Sequence, residues 1–468
     1  MTVGGFCYVR VPHGTWMDRA PVLWAVRGSS QRLAVGLTLS AAGLVLLTWA
    51  WWGLRRELRG HRAGLSLVRR AAAVWSAPLL LAPPLFSGDG WSYVATGVLA
   101  GSGRSPYLWA PAALPVPLRS GVAPKWRFTP SPYGPLPLAW GGAWSHVTHD
   151  PWLLLTAQRL VAVGALALLA WVVPVLAARA GHDPADAALL AVASPFVLAH
   201  GIGGLHNDLV MVAVVLLALA VTRPGVWLPG ALIVGVAAAV KAPGFLAAAG
   251  VVLLSLPAGA GLLARARRAT TVGAAAAGVV LVAGWLTGLG TGWVGALSVP
   301  DAEYTTLSLS AVTGRWARRV LDRAGPTGIS LAHTLHPELL AKRAGTVLVA
   351  VVALGVVVGW RSGTPRRALA ATGVVFLAAV VMSPVVHYWY FFWCVPVLAC
   401  VPLGRRARAA LLAGTLTLGL TAIGDRALGI RWLWESCSWA VLVVPVAAAV
   451  AARVRAEPAR PVDRHPAA

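Results

Sequence analysis

Asp89 stands in Phe86-Ser87-Gly88-Asp89-Gly90-Trp91-Ser92-Tyr93, immediately beyond an apolar stretch and flanked by glycines and aromatics. An ionisable group at the edge of a membrane is costly to keep there, which makes it a candidate for function. A carboxylate so placed can take a proton from a substrate hydroxyl, or it can cap a helix starting near Trp91. His206-Asn207-Asp208 follows Gly203-Gly204 at the head of another apolar stretch. These three can cap that helix, and amides and carboxylates also grip the vicinal hydroxyls of a sugar; the two roles are compatible. Lys241, in Val240-Lys241-Ala242-Pro243, either snorkels to the interface or pairs with a lipid phosphate as a point charge. His387-Tyr388-Trp389-Tyr390, after Ser383-Pro384, reads as an interfacial aromatic belt. His387 can also donate to a phosphate there, with the rings stacking on a sugar.

Between these points the chain carries Gly101-Ser102-Gly103-Arg104-Ser105-Pro106-Tyr107, then Lys125-Trp126, then Pro132-Tyr133-Gly134-Pro135. Turn-forming residues predict a well-ordered loop. Its basic and aromatic residues stand where a glycan or a pyrophosphate-type headgroup could be held.

The elements that must position these residues are apolar helices. The chain is 58% hydrophobic and 12% charged, with a mean hydropathy of +0.73. Soluble domains carry about twice that share of charge. The apolar residues come in blocks and do not alternate, so a porin-type barrel is excluded, and high hydrophobicity excludes disorder. The expectation is an all-α polytopic membrane protein. Apolar segments at 32–53, 67–86, 157–177, 187–200, 207–222, 226–240, 243–257, 270–290, 343–360, 368–383, 389–403, 409–424 and 437–452 give about 13 spans. Pro174, Pro195, Pro243 and Pro396 are expected to kink theirs.

The net charge of +24 comes from arginines that punctuate the apolar blocks without forming one basic face, so no nucleic-acid partner is expected. Anionic lipid headgroups and the positive-inside rule account for it. Cys7, Cys394, Cys400 and Cys437 form no metal-type or redox spacing. No signal peptide, P-loop or internal repeat is expected either.

Arginine asymmetry sets the orientation. Arg55, Arg56, Arg59, Arg62, Arg69 and Arg70 place the first linker inside, and the later clusters, such as Arg265/Arg267/Arg268 and Arg405/Arg406/Arg408, then also fall inside. Arg10, Arg19, Arg27 and Arg32 of the N-terminal tail fall outside, in discord with the rule. Two long external loops result, about 87–150 and 291–342. The chain divides into an N-terminal tail at 1–31, a first span with its basic cytoplasmic linker at 32–66, a transmembrane catalytic domain at 67–452 and a basic cytoplasmic tail at 453–468. Sorted this way, Asp89, Asp150, Asp208, Asp301, Glu303, Asp322, Glu338, Asp425 and Glu435 lie on the outer side.

Taken in order, Asp89…Ser92-Tyr93, Ser105-Pro106-Tyr107, Tyr133-Gly134-Pro135, His206-Asn207-Asp208, Lys241-Ala242-Pro243 and Ser383-Pro384…Tyr388-Trp389-Tyr390 resemble the polyprenyl-phosphomannose-dependent α-1,6-mannosyltransferases. These belong to the GT-C superfamily of multi-spanning glycosyltransferases, and the likeness runs from about residue 67 to 403. It implies a GT-C-like bundle in the cell membrane, with its active site on the extracytoplasmic face. Mannose would pass from a polyprenyl-phosphate donor to a mannan or lipoglycan acceptor. The family's essential first-loop acid maps onto Asp89. No acid neighbours it, which fits the branch that works without metal, so neither metal nor cofactor is expected.

Transfer from a lipid phosphate needs a base for the acceptor hydroxyl, for which Asp89 is the candidate. It also needs cations or donors for the leaving phosphate. Lys241 leads there, with His387 and Arg104 behind it. His206, Asn207 and Asp208 would orient a sugar or support the base, and Tyr93, Tyr107, Trp126, Tyr133 and Tyr388 complete the expected substrate contacts. A single in-line displacement would invert a β-linked donor into an α-linked product. The rival readings are a GT-C transferase for another lipid-phosphate sugar such as arabinofuranose, a lipid or solute transporter, and a non-catalytic scaffold. A transport site is expected near the midplane between repeats, and a scaffold has no need of polar groups gathered on one face.

Overall fold

The computed structural model describes residues 1–28, 31–59, 64–305 and 307–423. The expected span at 437–452, with Asp425, Glu435 and the basic tail, lies outside the described residues. Within them the chain is helical, without a named strand. Five helices are long and apolar enough to cross a membrane: Arg32–Glu57, Pro151–Arg179, Leu262–Leu286, Pro337–Gly359 and Pro365–Met382. The chain is a membrane-integral, all-α protein.

Some of these helices turn large apolar side chains outward. Val347, Val351, Leu354 and Val358 follow helical spacing along Pro337–Gly359 and are all exposed, as are Trp49 and Trp171 on their helices. Such stripes suit contact with acyl chains. The expected count of about 13 spans meets a different pattern. Segments 187–200 and 207–222 include Val197–Gly203 and Asn207–Val221, which meet at a bend of 111° as one broken span or re-entrant loop. Leu228–Val240 has 13 residues, about 20 Å of helix against a hydrocarbon core of about 30 Å. Of the prolines expected to kink, Pro174 lies inside a helix, but Pro243 and Pro396 open helical segments. At that position the missing N–H has no intrahelical partner to lose.

Helix Asn207–Val221 is almost wholly buried, packed against both Pro151–Arg179 and Leu228–Val240. Pro151–Arg179 is started by Asp150, whose carboxylate accepts from the N–H groups of Trp152 and Leu153, both at 2.9 Å, with Pro151 at the first helical position. The expected external loops are folded. The first carries Asp89–Gly101 and Pro135–Ser145, and the second Leu309–Arg323 and Pro326–Leu335.

Asp89–Gly101 and Pro135–Ser145 touch backbone to backbone. A Cβ placed on Gly97 would lie 2.6 Å from the Cα of Gly141, and one on Gly141 would lie 2.7 Å from the Cα of Gly97. Small residues at four-residue spacing, Gly97 and Gly101, permit this approach. By helix propensity alone Gly97→Ala would stabilise by about 1 kcal/mol. The contact reverses the sign: the expected result is a lower melting temperature in detergent, and a raised one would show that the two helices are not held this closely.

The chain leading to Asp89 is pinned twice. The guanidinium of Arg159, buried within its helix, donates to the carbonyls of Leu80 (2.5 Å) and Ala82 (2.6 Å). The Leu85 N–H donates to the Gly203 carbonyl at 2.8 Å. On either side of that bond, Phe86 (φ 62°) and Leu205 (φ 60°) adopt left-handed backbone. Non-glycine residues hold such conformations at a cost of about 1–3 kcal/mol, and only where surrounding structure enforces them. Both lie just ahead of residues singled out above, Asp89 and His206.

Candidate active site

Packing accounts for several of the carboxylates. Asp150 and Asp183 cap helices, Asp186 pairs with His182 at 3.2 Å and with Arg408, and Asp322 pairs with Arg318 at 3.1 Å. Asp89, Asp208 and Glu303 are different, because all three sit at or behind one cavity. Its volume is about 330 Å³, at the lower end of small-molecule pockets. Asp89 and Glu303 line it, together with Lys241, Trp126, Tyr133 and Tyr390.

Asp89 is not a helix cap. Its helix begins at Asp89 itself after Gly88, and the Asp89 N–H donates to Ser87 Oγ at 3.0 Å. The side chain is free to turn away from the backbone, and its Oδ2 lies 3.4 Å from Nδ1 of the fully buried His206. His206 is flat against Trp389, with ring centroids 3.8 Å apart, and His387 stacks on the same indole at 4.5 Å. One tryptophan therefore fixes two imidazoles, one of them the partner of Asp89. Burial pushes the Asp89 carboxyl up, but the contact with His206 and the charge of Lys125 pull it further down, below the ordinary carboxylate range. Burial, aided by Lys125, pushes His387 down to about 3, so that imidazole is neutral at pH 7.

Lys241 occupies a helix break. Leu228–Val240 ends there, Lys241 itself is extended (φ −154°, ψ 131°), and Pro243 restarts the chain in a tight helical turn. The break lets the side chain enter the cavity. Nζ contacts Asp208 Oδ1 at 2.7 Å and lies 4.2 Å from the centroid of Tyr390 and 5.5 Å from that of Tyr133. Asp208 is fully buried and also accepts the Trp393 indole N–H at 2.6 Å. The result is an ammonium in an aromatic cage, paired on one side with a carboxylate and open on the other to the cavity.

The remaining expected residues divide. Tyr93 and Tyr133 line the cavity, their hydroxyls 3.1 Å apart and their rings edge to face; Trp126 and His387 line it as well. Gly134, next to Tyr133, leaves room for the Ala239 carbonyl and donates its N–H to Val240 at 3.1 Å, which docks the Tyr-Gly-Pro turn on the helix that delivers Lys241. His206, Asn207 and Asp208 stand behind the wall and do not line it, nor do their side chains cap the helix they begin. Arg104 is outside the cavity, exposed, over Trp109 at 5.6 Å and donating to the Ala113 carbonyl. Tyr107 donates to the Tyr133 carbonyl at 3.1 Å, and Tyr388 is buried off the wall. Sequence reading did not single out Trp393 or the cavity role of Glu303. Trp393 follows Trp389 by four residues, a spacing that could have marked it.

The arrangement sets a carboxylate, an ammonium and several aromatic faces around one small space. A carboxylate can take a proton from a hydroxyl, an ammonium can neutralise developing negative charge, and the rings can stack on the apolar face of a sugar. Among the described residues no group of three His, Cys, Asp or Glu side chains is placed to hold a metal ion.

Residues 1–257 match the family model for the alpha-(1->6)-mannopyranosyltransferase N-terminal domain, residues 137–384 that of glycosyltransferase family 87, and residues 328–456 that of the MptB C-terminal domain. Alpha-(1->6)-mannopyranosyltransferase A of Mycobacterium tuberculosis is 31% identical, over 85% of this chain and 78% of the relative. Alpha-(1->6)-mannopyranosyltransferase B of Corynebacterium glutamicum is 26% identical, over 84% of this chain and 68% of the relative. The A protein of Corynebacterium glutamicum is 27% identical, over 76% of each chain. No solved structure matches significantly.

Proposed function

This chain belongs to the alpha-(1->6)-mannopyranosyltransferase family of GT-C glycosyltransferases, and from that premise we propose that it moves mannose from polyprenyl-phosphate-mannose to a mannan or lipoglycan acceptor on the extracytoplasmic face. The observation that carries this reading is the cavity with Asp89 on its wall, backed by His206, and Lys241 on the same wall, backed by Asp208.

In the proposed reaction the acceptor hydroxyl attacks the anomeric carbon of the lipid-linked mannose. The new C–O bond forms as the bond to the phosphate oxygen breaks, Asp89 receives the hydroxyl proton, and the lipid phosphate leaves with the bonding electron pair. Attack opposite the leaving group inverts a β-linked donor to an α-1,6 product. Lys241 supplies a fixed positive charge for the departing phosphate, and preorganised charge in a water-poor site counts for more than the same charge in water. That charge supports a displacement independent of metal. Asp89, held below the usual carboxylate range, is a weak base, so proton transfer would come late, after the phosphate has begun to leave. The broken helices around Lys241 offer the lipid chain a way in from the bilayer.

The test is transfer of radiolabelled mannose from polyprenyl-phosphate-mannose to a mannoside by the purified protein, with and without EDTA. Product formed equally in both supports the reading. Transfer from an arabinofuranosyl donor in its place would reassign the sugar, and loss of transfer on chelation would remove the metal-independent step.

A further inference from the structure

A second carboxylate on the cavity wall has no role in the reaction as drawn. Glu303 is half-buried and lines the same space as Asp89 and Lys241. Among the described residues its carboxylate makes no hydrogen bond or ion pair. A partly desolvated carboxylate is retained at a cost unless something donates to it.

The chain around Glu303 is held in place. Lys342, 5% exposed on Pro337–Gly359, spends its ammonium on two backbone carbonyls, those of Asp301 and Glu303, each at 2.6 Å. Two residues beyond Glu303, Thr305 Oγ1 accepts the N–H of Val386 at 2.8 Å, and Ser308 Oγ donates to the Ser383 carbonyl at 2.6 Å. Glu303 is thus tied to Pro337–Gly359 on one side and to the turn that carries His387 on the other. A solvated loop acid needs no such framework.

The cavity wall carries both signs of charge. Lys241 suits the anionic phosphate of the donor, whereas Glu303 would repel that phosphate and suits an uncharged partner. A carboxylate accepts two hydrogen bonds from vicinal hydroxyls, the geometry a pyranoside presents. We propose that Glu303 binds the hydroxyls of the acceptor sugar, and that Lys342 is the positioning residue that fixes its backbone. This rests on the reading of the chain as a mannosyltransferase with a glycan acceptor.

The test uses the full-length protein in detergent or nanodiscs with a short α-1,6-linked mannoside as probe. Mannoside binding is followed by the fluorescence of the cavity tryptophans, and transfer is followed in parallel. Glu303→Gln, which keeps shape and removes charge, is expected to weaken mannoside binding and raise the acceptor KM by about tenfold or more, with donor KM and kcat changed less than threefold. Lys342→Met should give the same split, and Lys342→Arg should restore part of it. Unaltered mannoside binding in Glu303→Gln, loss of kcat alone, or a wild-type protein that binds no mannoside would each overturn the proposal. Wild-type protein that binds mannoside through Glu303 yet takes no mannose from the polyprenyl donor would leave this subsite standing and remove the donor reading.

Discussion

Asp89→Asn is expected to lower mannosyl transfer by about three orders of magnitude while the protein still accumulates in the membrane. Loss of a positioned general base costs on the order of 10²–10⁴ in rate. The amide keeps the size of the carboxylate and can still contact His206, but it cannot take the acceptor proton. His206 stays stacked on Trp389 in either case, so the variant keeps the local packing and loses only the stability that the carboxylate's charge contributes. The pH dependence adds a second check. The folded-state pKa of Asp89 lies below its unfolded value, so the stability it contributes is present above the unfolded pKa of about 4 and is lost as pH falls further. The base is therefore already a carboxylate throughout the range from pH 5 to 8, and its protonation should produce no acid limb there. Variant activity within a few-fold of wild type would remove Asp89 from the base role.

The second large effect concerns Lys241. Lys241→Ala is expected to raise the donor KM strongly and also to destabilise the protein, because it leaves Asp208 buried and unpaired; breaking such a pair costs about 3–5 kcal/mol. The two consequences can be separated. Replacing both partners, Lys241→Met with Asp208→Asn, removes the unpaired charge and keeps an acceptor for the Trp393 indole N–H. Melting temperature should recover in the double variant, and donor KM should not. If both recover, Lys241 is a structural cation only. An effect confined to the acceptor KM would likewise refute phosphate binding, and it would point instead to the acceptor contact proposed for Glu303.

Asp89 and Lys241 were legible because charge is scarce in this chain and each stands at the end of an apolar stretch. What lies behind them was not. His206 and Asp208 look alike from sequence, two polar residues at a helix start, and only the path of the 387–393 turn decides that one meets Trp389 and the other Trp393. Arg159 sits in the interior of an apolar helix, where hydropathy reads it as noise, yet it anchors the approach to Asp89. Glu303 was hidden among other loop acids because its anchor, Lys342, is remote in sequence. The all-α membrane class followed from composition alone. The path of the helices did not, since hydropathy measures apolar length and is blind to a 111° turn between two apolar pieces.

The bond from Leu85 to Gly203, with left-handed Phe86 and Leu205 on either side, bears on how the enzyme matures. A ribosome must deliver more than a hundred residues after Asp89 before its histidine exists, and nearly two hundred more before Trp389 arrives to brace that histidine. Until then the aspartate emerges as an ordinary acid. The strained pair can close only when both stretches are in place, so competence for catalysis is a late event in biogenesis. A chain halted early would sit in the bilayer, well helical and inert.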